Sequence, residues 1–206
     1  MKYLLLLLVS FSSFAREPIG PNRYQQLTGI KKNPLAELNN RSHSKGPDQF
    51  LVENLSYLPT GGDVLDINSK EGRSALFLAS KGYKVTSIQP PSQRSKWPTD
   101  SMATGVNWAW TTLKEQWSTK LSYDVIMCFE HLTPKELDKL KSWLKPGGVL
   151  IYETPNLRHP DAKSNPADFS KSSDLLALVG KGYTLLKFED PPFSKEFRSG
   201  IILRKD

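Results

Sequence analysis

One stretch constrains this chain more than any other: GDVLDINSKEGRSALFLASKGYKVTSIQ, residues 62–89. Val64-Leu65, with Ile67 beyond, is an apolar run too short for a helix and bounded by Gly61-Gly62, which marks a buried strand. Ala75, Leu78, Ala79 and Gly82 then recur at helical spacing, and Gly82 suits the helix stop. Val85, Ser87 and Ile88 start a second strand. A strand, a polar turn, an amphipathic helix and a strand make a βαβ unit. The turn between Asp66 and Gly72 is where such units hold ligands.

The rest of the chain follows the same alternation. Pro47 opens a helix expected over 48–58, with Phe50, Leu51, Leu55 and Leu58 on one face. Pro90 to Gly105 reads as a loop with at most a short helix, and VNWAW (106–110) as a strand. YDVIMCF (123–129) has the apolar character of a buried parallel strand. Thr133-Pro134-Lys135-Glu136 predicts a capped helix start, with Leu137, Leu140 and Leu144 on the inner face and Pro146-Gly147-Gly148 as its stop. Val149–Tyr152 is the next strand, and 156–169 a loop. A short helix over 175–179 precedes two closing strands, Tyr183–Phe188 and Ile201–Leu203. With no helix between them, these two pair antiparallel, and their 12-residue connection is no tight hairpin. The pattern predicts an α/β sheet covered on both faces.

Composition sets outer limits. The 206 residues suffice for one domain with a real core, and hydrophobics at 38% argue against disorder. The single cysteine, Cys128, excludes an intramolecular disulfide framework and a Cys-rich zinc site. It lies in an apolar run and reads as a buried structural thiol. A net charge of +7 comes without a Lys/Arg run or aromatic-basic array, which argues against nucleic-acid binding. The start, MKYLLLLLVSFSSFA, has the layout of a signal peptide: Lys2, an apolar stretch from Tyr3 to Val9, and an S-x-A pattern at Ser13 and Ala15. It is too short to be a bilayer-spanning anchor. The expected organisation is a signal peptide over 1–15 cleaved near Ala15, a lead-in segment over 16–46 and a domain over 47–206. The mature protein is expected outside the cytoplasm.

The residues of the βαβ unit resemble the first motif of class I S-adenosylmethionine-dependent methyltransferases. YDVIMCFEHL and LKPGGVLIYETPN resemble that family's fourth strand, following helix and fifth strand. The nearest likeness is to the tellurite-resistance and thiopurine methyltransferase branch, and it covers about Phe50 to Asp206. The resemblance implies a Rossmann-like, doubly wound seven-stranded sheet, mostly parallel with the last strand antiparallel. It further implies S-adenosylmethionine as cofactor, no metal, and a small-molecule methyl acceptor.

Carried over residue by residue, the cofactor positions are Asp66, Asn68, Lys70 and Gly72 of the turn, Gln89 at the end of the second strand, and Thr112 after the third. The chain departs from the family's D-x-G-x-G-x-G turn at Asn68 and Lys70. It also has an amide, Gln89, where an acid accepts from both ribose hydroxyls, and a hydroxyl pair, Thr111-Thr112, where an acid lies near the adenine. Asn68 tolerates a positive φ. Lys70 either brings a cation near the sulfonium or points into solvent. Glu130 and His131 after the fourth strand, and Glu153, Thr154 and Asn156 at the fifth, lie at the acceptor edge, with His131 as the base candidate. Trp97, Trp108, Trp110 and Trp117 either line an apolar acceptor pocket or pack in the core. Two readings stay open: an active methyltransferase, or an exported, catalytically inactive protein of the same fold that serves as a binding module.

Overall fold

A computed structural model describes residues 46–67, 72–96, 105–116, 121–190 and 197–206. All of them belong to one unit, Pro34–Asp206. The expected signal peptide, the lead-in up to residue 45, Asn68, Lys70, Trp97 and Trp117 lie outside the described residues.

Seven strands form one sheet: β1 (Asp63–Ile67), β2 (Lys84–Gln89), β3 (Val106–Trp110), β4 (Tyr123–Cys128), β5 (Leu144–Pro155), β6 (Tyr183–Glu189) and β7 (Arg198–Lys205). Their spatial order is β3-β2-β1-β4-β5-β7-β6. All neighbours pair in parallel except β7, which runs antiparallel to both β5 and β6. The order reverses at β1, so the carboxyl ends of β1 and β4 flank a topological switch point, where open α/β sheets bind ligands.

Among the described residues four α-helices cover the sheet: α1 (Gln49–Glu53), α2 (Arg73–Ser80), α3 (Pro134–Ser142) and α4 (Ser172–Ala177). One core joins Leu65, Ile126, Cys128, Leu150, Tyr152 and Leu203 of the sheet to Leu137 and Leu140 of α3 and Leu175 of α4. The opposite face receives α1 and α2, whose Phe50, Leu51, Phe77 and Leu78 are buried. Phe50 seats directly on β7: a Cβ built on Gly200 would lie 2.6 Å from Phe50 Cζ.

Local rules account for most element ends. Gly72 takes φ +60° at the start of α2, the left-handed conformation a glycine adopts without penalty. Thr133 caps α3 as expected: its Oγ1 accepts from Glu136 N, and Glu136 Oε2 accepts from Thr133 N. At the amino edge, Asp124 Oδ2 accepts from Asp63 N at 2.7 Å and from Lys145 Nζ at 2.8 Å, while Lys145 also reaches Asp63 Oδ2 at 2.9 Å. That clasp ties β1, β4 and β5 together.

Three expectations are corrected. The helix read over 48–58 stops at Glu53. Buried Asn54 turns its side chain back onto Phe50 O, and Leu55–Tyr57 continue as a 3₁₀ turn, so Val52 rather than Leu55 is buried. The helix after Thr133 ends at Ser142, not at Pro146. Leu144 already pairs with Tyr123, and a register shift before Val125 absorbs the Gly147-Gly148 step. The strand read over 201–203 begins at Arg198, because Arg198 and Ser199 already pair with Pro155 and Thr154 of β5, so the β6–β7 connection is shorter than twelve residues.

Candidate functional site

The parallel register places Asp66 beside Ser87 and Gln89 beside Trp110, so Asp66, Ser87, Gln89, Trp108 and Trp110 share one face at the carboxyl edge. Asp66, Ser87 and Gln89 are each completely buried. They form a chain of hydrogen bonds: Gln89 Nε2 donates to Ser87 Oγ at 2.8 Å, and Ser87 Oγ donates to Asp66 Oδ2 at 2.6 Å. Trp108 and Trp110 are half-buried beside this row.

After β3, Thr111 and Thr112 converge on a residue the sequence reading passed over. Glu115 Oε2 accepts from Thr112 N at 2.8 Å and from Thr111 Oγ1. Those bonds, that from Thr111 foremost, hold the exposed Glu115 carboxyl below the usual carboxylate range. An acid therefore stands at the end of β3, three to four residues beyond the hydroxyls expected to replace it. The signal for it was the T-x-x-E spacing, a local cap that brings its carboxylate back to the strand end.

The β4 and β5 ends make the second half of the edge. His131 is half-buried, and its Nδ1 lies 3.2 Å from Ser170 Oγ, which fixes the ring. Ser170 is bridged to Asn156 next to the end of β5, and its N donates to Pro155 O at 3.1 Å. Asn156 is buried, with Nδ2 donating to Ser199 Oγ at 3.2 Å. Thr154 is wholly buried. Glu153, 5% exposed, accepts from Arg198 Nε at 2.7 Å, while Arg198 Nη2 donates to Glu153 O at 3.2 Å and to Phe129 O. Burial alone lowers the Arg198 guanidinium, but Glu153, Asp48 and Glu130 outweigh it and lift the group above its ordinary range. Arg198 thus locks the ends of β4 and β5 together from the start of β7. No motif in the sequence marks it.

Cys128 is buried beside this edge, and loss of solvation pushes its thiol up to about 12, so it stays a thiol as expected. Of the predicted positions, the fold brings Asp66, Gly72 and Gln89 to one edge with Thr112 at its outer end, and His131 across the switch point. Among the described residues no group of three or more His, Cys, Asp or Glu side chains is placed to hold a metal ion. Among them, too, no helix is long and apolar enough to cross a membrane.

The sheet order, the lone antiparallel β7 and the polar row at the β1–β2 carboxyl ends define the class I S-adenosylmethionine-dependent methyltransferase fold. The chain belongs to the methyltransferase-domain family, whose model matches residues 40–178. Among solved structures it is similar to the N-methyltransferase NodS from Bradyrhizobium japonicum WM9 in complex with S-adenosyl-L-homocysteine. That match has a TM-score of 0.60 at 18% identity and covers 88% of this chain and 97% of that one. It is also similar to a protein solved in work on the conversion of a disulfide bond into a thioacetal group during echinomycin biosynthesis (TM-score 0.58, 18% identity, 78% and 83% covered). A third, a SAM-dependent methyltransferase from Streptococcus mutans, matches with TM-score 0.52 at 15% identity over 76% of this chain and 48% of its own, so this chain spans about half its length. No curated protein sequence matches the chain.

Proposed function

We propose that the chain is an S-adenosylmethionine-dependent methyltransferase acting on a small-molecule acceptor, allied to the tellurite-resistance and thiopurine branch. The observation that carries this reading is the alignment of Asp66, Gln89 and Glu115 at the carboxyl ends of β1, β2 and β3, behind the left-handed Gly72 that opens α2. In placement these residues fit an adenosyl ligand: a buried carboxylate by the turn, a hydrogen-bonding side chain at the β2 end and an exposed carboxylate at the β3 end. Bound there, the cofactor supplies an electrophilic methyl group on a sulfonium. The chain's own part is to hold donor and acceptor in line and to exclude water. His131, its ring oriented by Ser170, stands on the acceptor side as the base for an acceptor that must lose a proton. NodS is an N-methyltransferase bound to S-adenosyl-L-homocysteine, and an equivalent ligand is the natural probe here.

A second reading has its own support. Asp66, Ser87 and Gln89 are fully covered and bonded to one another, and Gln89 is neutral where the family has an acid. Together with the signal-peptide layout of residues 1–15, this fits an exported methyltransferase-fold protein that binds without catalysis. Calorimetric titration with S-adenosylmethionine and S-adenosylhomocysteine decides between the two. Micromolar binding removes the second reading's support, a site too covered to take the cofactor, and no heat at millimolar ligand removes the first reading. Fractionation of cells expressing the full chain, with the mass of the mature protein, tests export and cleavage near Ala15.

A further inference from the structure

We propose that the amino edge of the sheet carries a second binding site, which takes a zwitterionic α-amino acid with an apolar side chain. It lies at the other end of the strands from Asp66 and Gln89, about 17 Å away along β2 from Lys84 to Gln89. It therefore stands apart from the methyl-transfer reading.

The site is open for a topological reason. Leu65 pairs with Thr86 and Thr86 with Asn107, so this row and Lys84 share the sheet face that α3 and α4 cover further along. The connection from β3 to β4 runs over that face, and among the described residues it holds only a 3₁₀ turn, Leu113–Gln116. Leu113 and Ala109 pack against the core at the carboxyl half of β3. Toward the amino ends Thr86 is only partly covered, and Lys84 and Asn107 are exposed. Between this row and the chain entering β4 lies a cavity of about 390 Å³, at the small end of the range for small-molecule sites.

Charge selects the ligand. Asp63 and Lys84 both line the cavity and are register partners on adjacent strands, yet they do not pair with each other. Among the described residues Lys84 makes no ion pair, while Asp63 Oδ2 accepts from Lys145 at 2.9 Å. Lys145 is shared with Asp124 at 2.8 Å, so one ammonium serves two carboxylates and a negative charge remains on the Asp63 side. A purely anionic ligand meets that charge, and a purely cationic one meets Lys84. An α-amino acid suits both, with its carboxylate on Lys84 and its ammonium on Asp63, because adjacent strands stand only about 4.8 Å apart. The remaining polar groups are already engaged. Tyr83 Oη donates to Pro59 O at 2.7 Å, Asn107 Nδ2 donates to Thr86 Oγ1 at 3.4 Å, and Thr86 also bonds Tyr123. What the lining still offers is the two tyrosine rings and Leu121, which fit an apolar side chain.

The test is a ligand-observed NMR titration of the full chain with L-phenylalanine, phenethylamine and phenylacetate, the last two each lacking one of the charges. Phenylalanine is expected to bind with a Kd of about 1 mM. It is expected to exceed each analogue by about two- to fivefold, the worth of one solvent-facing ion pair. Lys84→Met, at an exposed position, is expected to bring the advantage over phenethylamine down to about one and to keep the advantage over phenylacetate. Asn107→Phe, also at an exposed position, puts a ring into the cavity and is expected to abolish binding of all three. The inference is overturned if either analogue binds as tightly as phenylalanine, or if phenylalanine fails to bind up to about 20 mM. It is equally overturned if Lys84→Met keeps the full preference over phenethylamine, or if Asn107→Phe binds phenylalanine like wild type.

Discussion

Replacing Arg198 by Met should unbalance the acceptor edge in a way the structure makes quantitative. Arg198 Nε donates to Glu153 Oε2 at 2.7 Å, and Nη2 donates to Glu153 O at 3.2 Å and to Phe129 O, so the guanidinium holds a carboxylate that is 5% exposed and the two strand ends beside it. Removing one partner of a buried pair costs about 3–5 kcal/mol. The Arg198 side chain is 23% exposed, and screening at the open side reduces the expected loss to about 2–4 kcal/mol. Methionine preserves most of the apolar stem, so the loss reports charge and hydrogen bonds rather than packing. The partner test is the double variant Arg198→Met with Glu153→Gln. It removes the stranded charge and should recover about half of the loss, a coupling of at least ~1 kcal/mol in a double-mutant cycle. Urea unfolding at pH 7.5 measures each term. A second signature is the pH response of Arg198→Met. Loss of the neighbouring cation disfavours the charged form of the buried Glu153 carboxylate, so the deficit of the variant against wild type is expected to shrink as pH falls from 7 toward 5. The reasoning fails if Arg198→Met costs under about 1 kcal/mol, or if the two substitutions simply add.

Three further outcomes are expected. Gly200→Ala forces a Cβ to 2.6 Å from Phe50 Cζ and should destabilise by about 1–3 kcal/mol. In a Phe50→Leu background, which shortens the clashing ring, most of that increment should vanish; an equal increment in both backgrounds refutes the contact. On the acid side, Lys145, through its hydrogen bond, holds the Asp124 carboxyl below its ordinary value. The clasp therefore stabilises fully above the unfolded carboxylate pKa and loses its contribution as pH falls through the folded one. Lys145→Met should flatten the stability-versus-pH curve in that acid window and leave its neutral-to-alkaline shape unchanged. Finally, Cys128, with its thiol near 12 and fully buried, should resist iodoacetamide at pH 8 in the native protein and react stoichiometrically in urea, followed by mass spectrometry. Native labelling at the denatured rate contradicts its burial.

Where the physics is local, the sequence alone was enough. The apolar runs of β1 and β4, the period of α2 and the Thr133–Glu136 box depend on neighbours within a few residues. They identified the βαβ unit, the α/β class and the family resemblance without any three-dimensional information. The antiparallel close also followed from order, since two successive strands without a helix pair in no other way so readily. Asp66, Gly72 and Gln89 lie at one edge because each sits at or next to the end or start of an element of that unit.

What needed the tertiary structure were relations between residues far apart in the chain. Asp66 and Ser87 are 21 residues apart and become partners only through the parallel register of β1 and β2. Arg198 reaches Glu153 across 45 residues because β7 returns against β5, so its first residue meets the end of that strand. Asn54 stops α1 early by bonding Phe50 O, and its side chain meets Lys187 of the sheet edge. Taken alone, Gln89 looked like a lost acid. Beside Ser87 and Asp66 it is part of a buried hydrogen-bonded row, a relation that only the parallel pairing of β1 and β2 brings about.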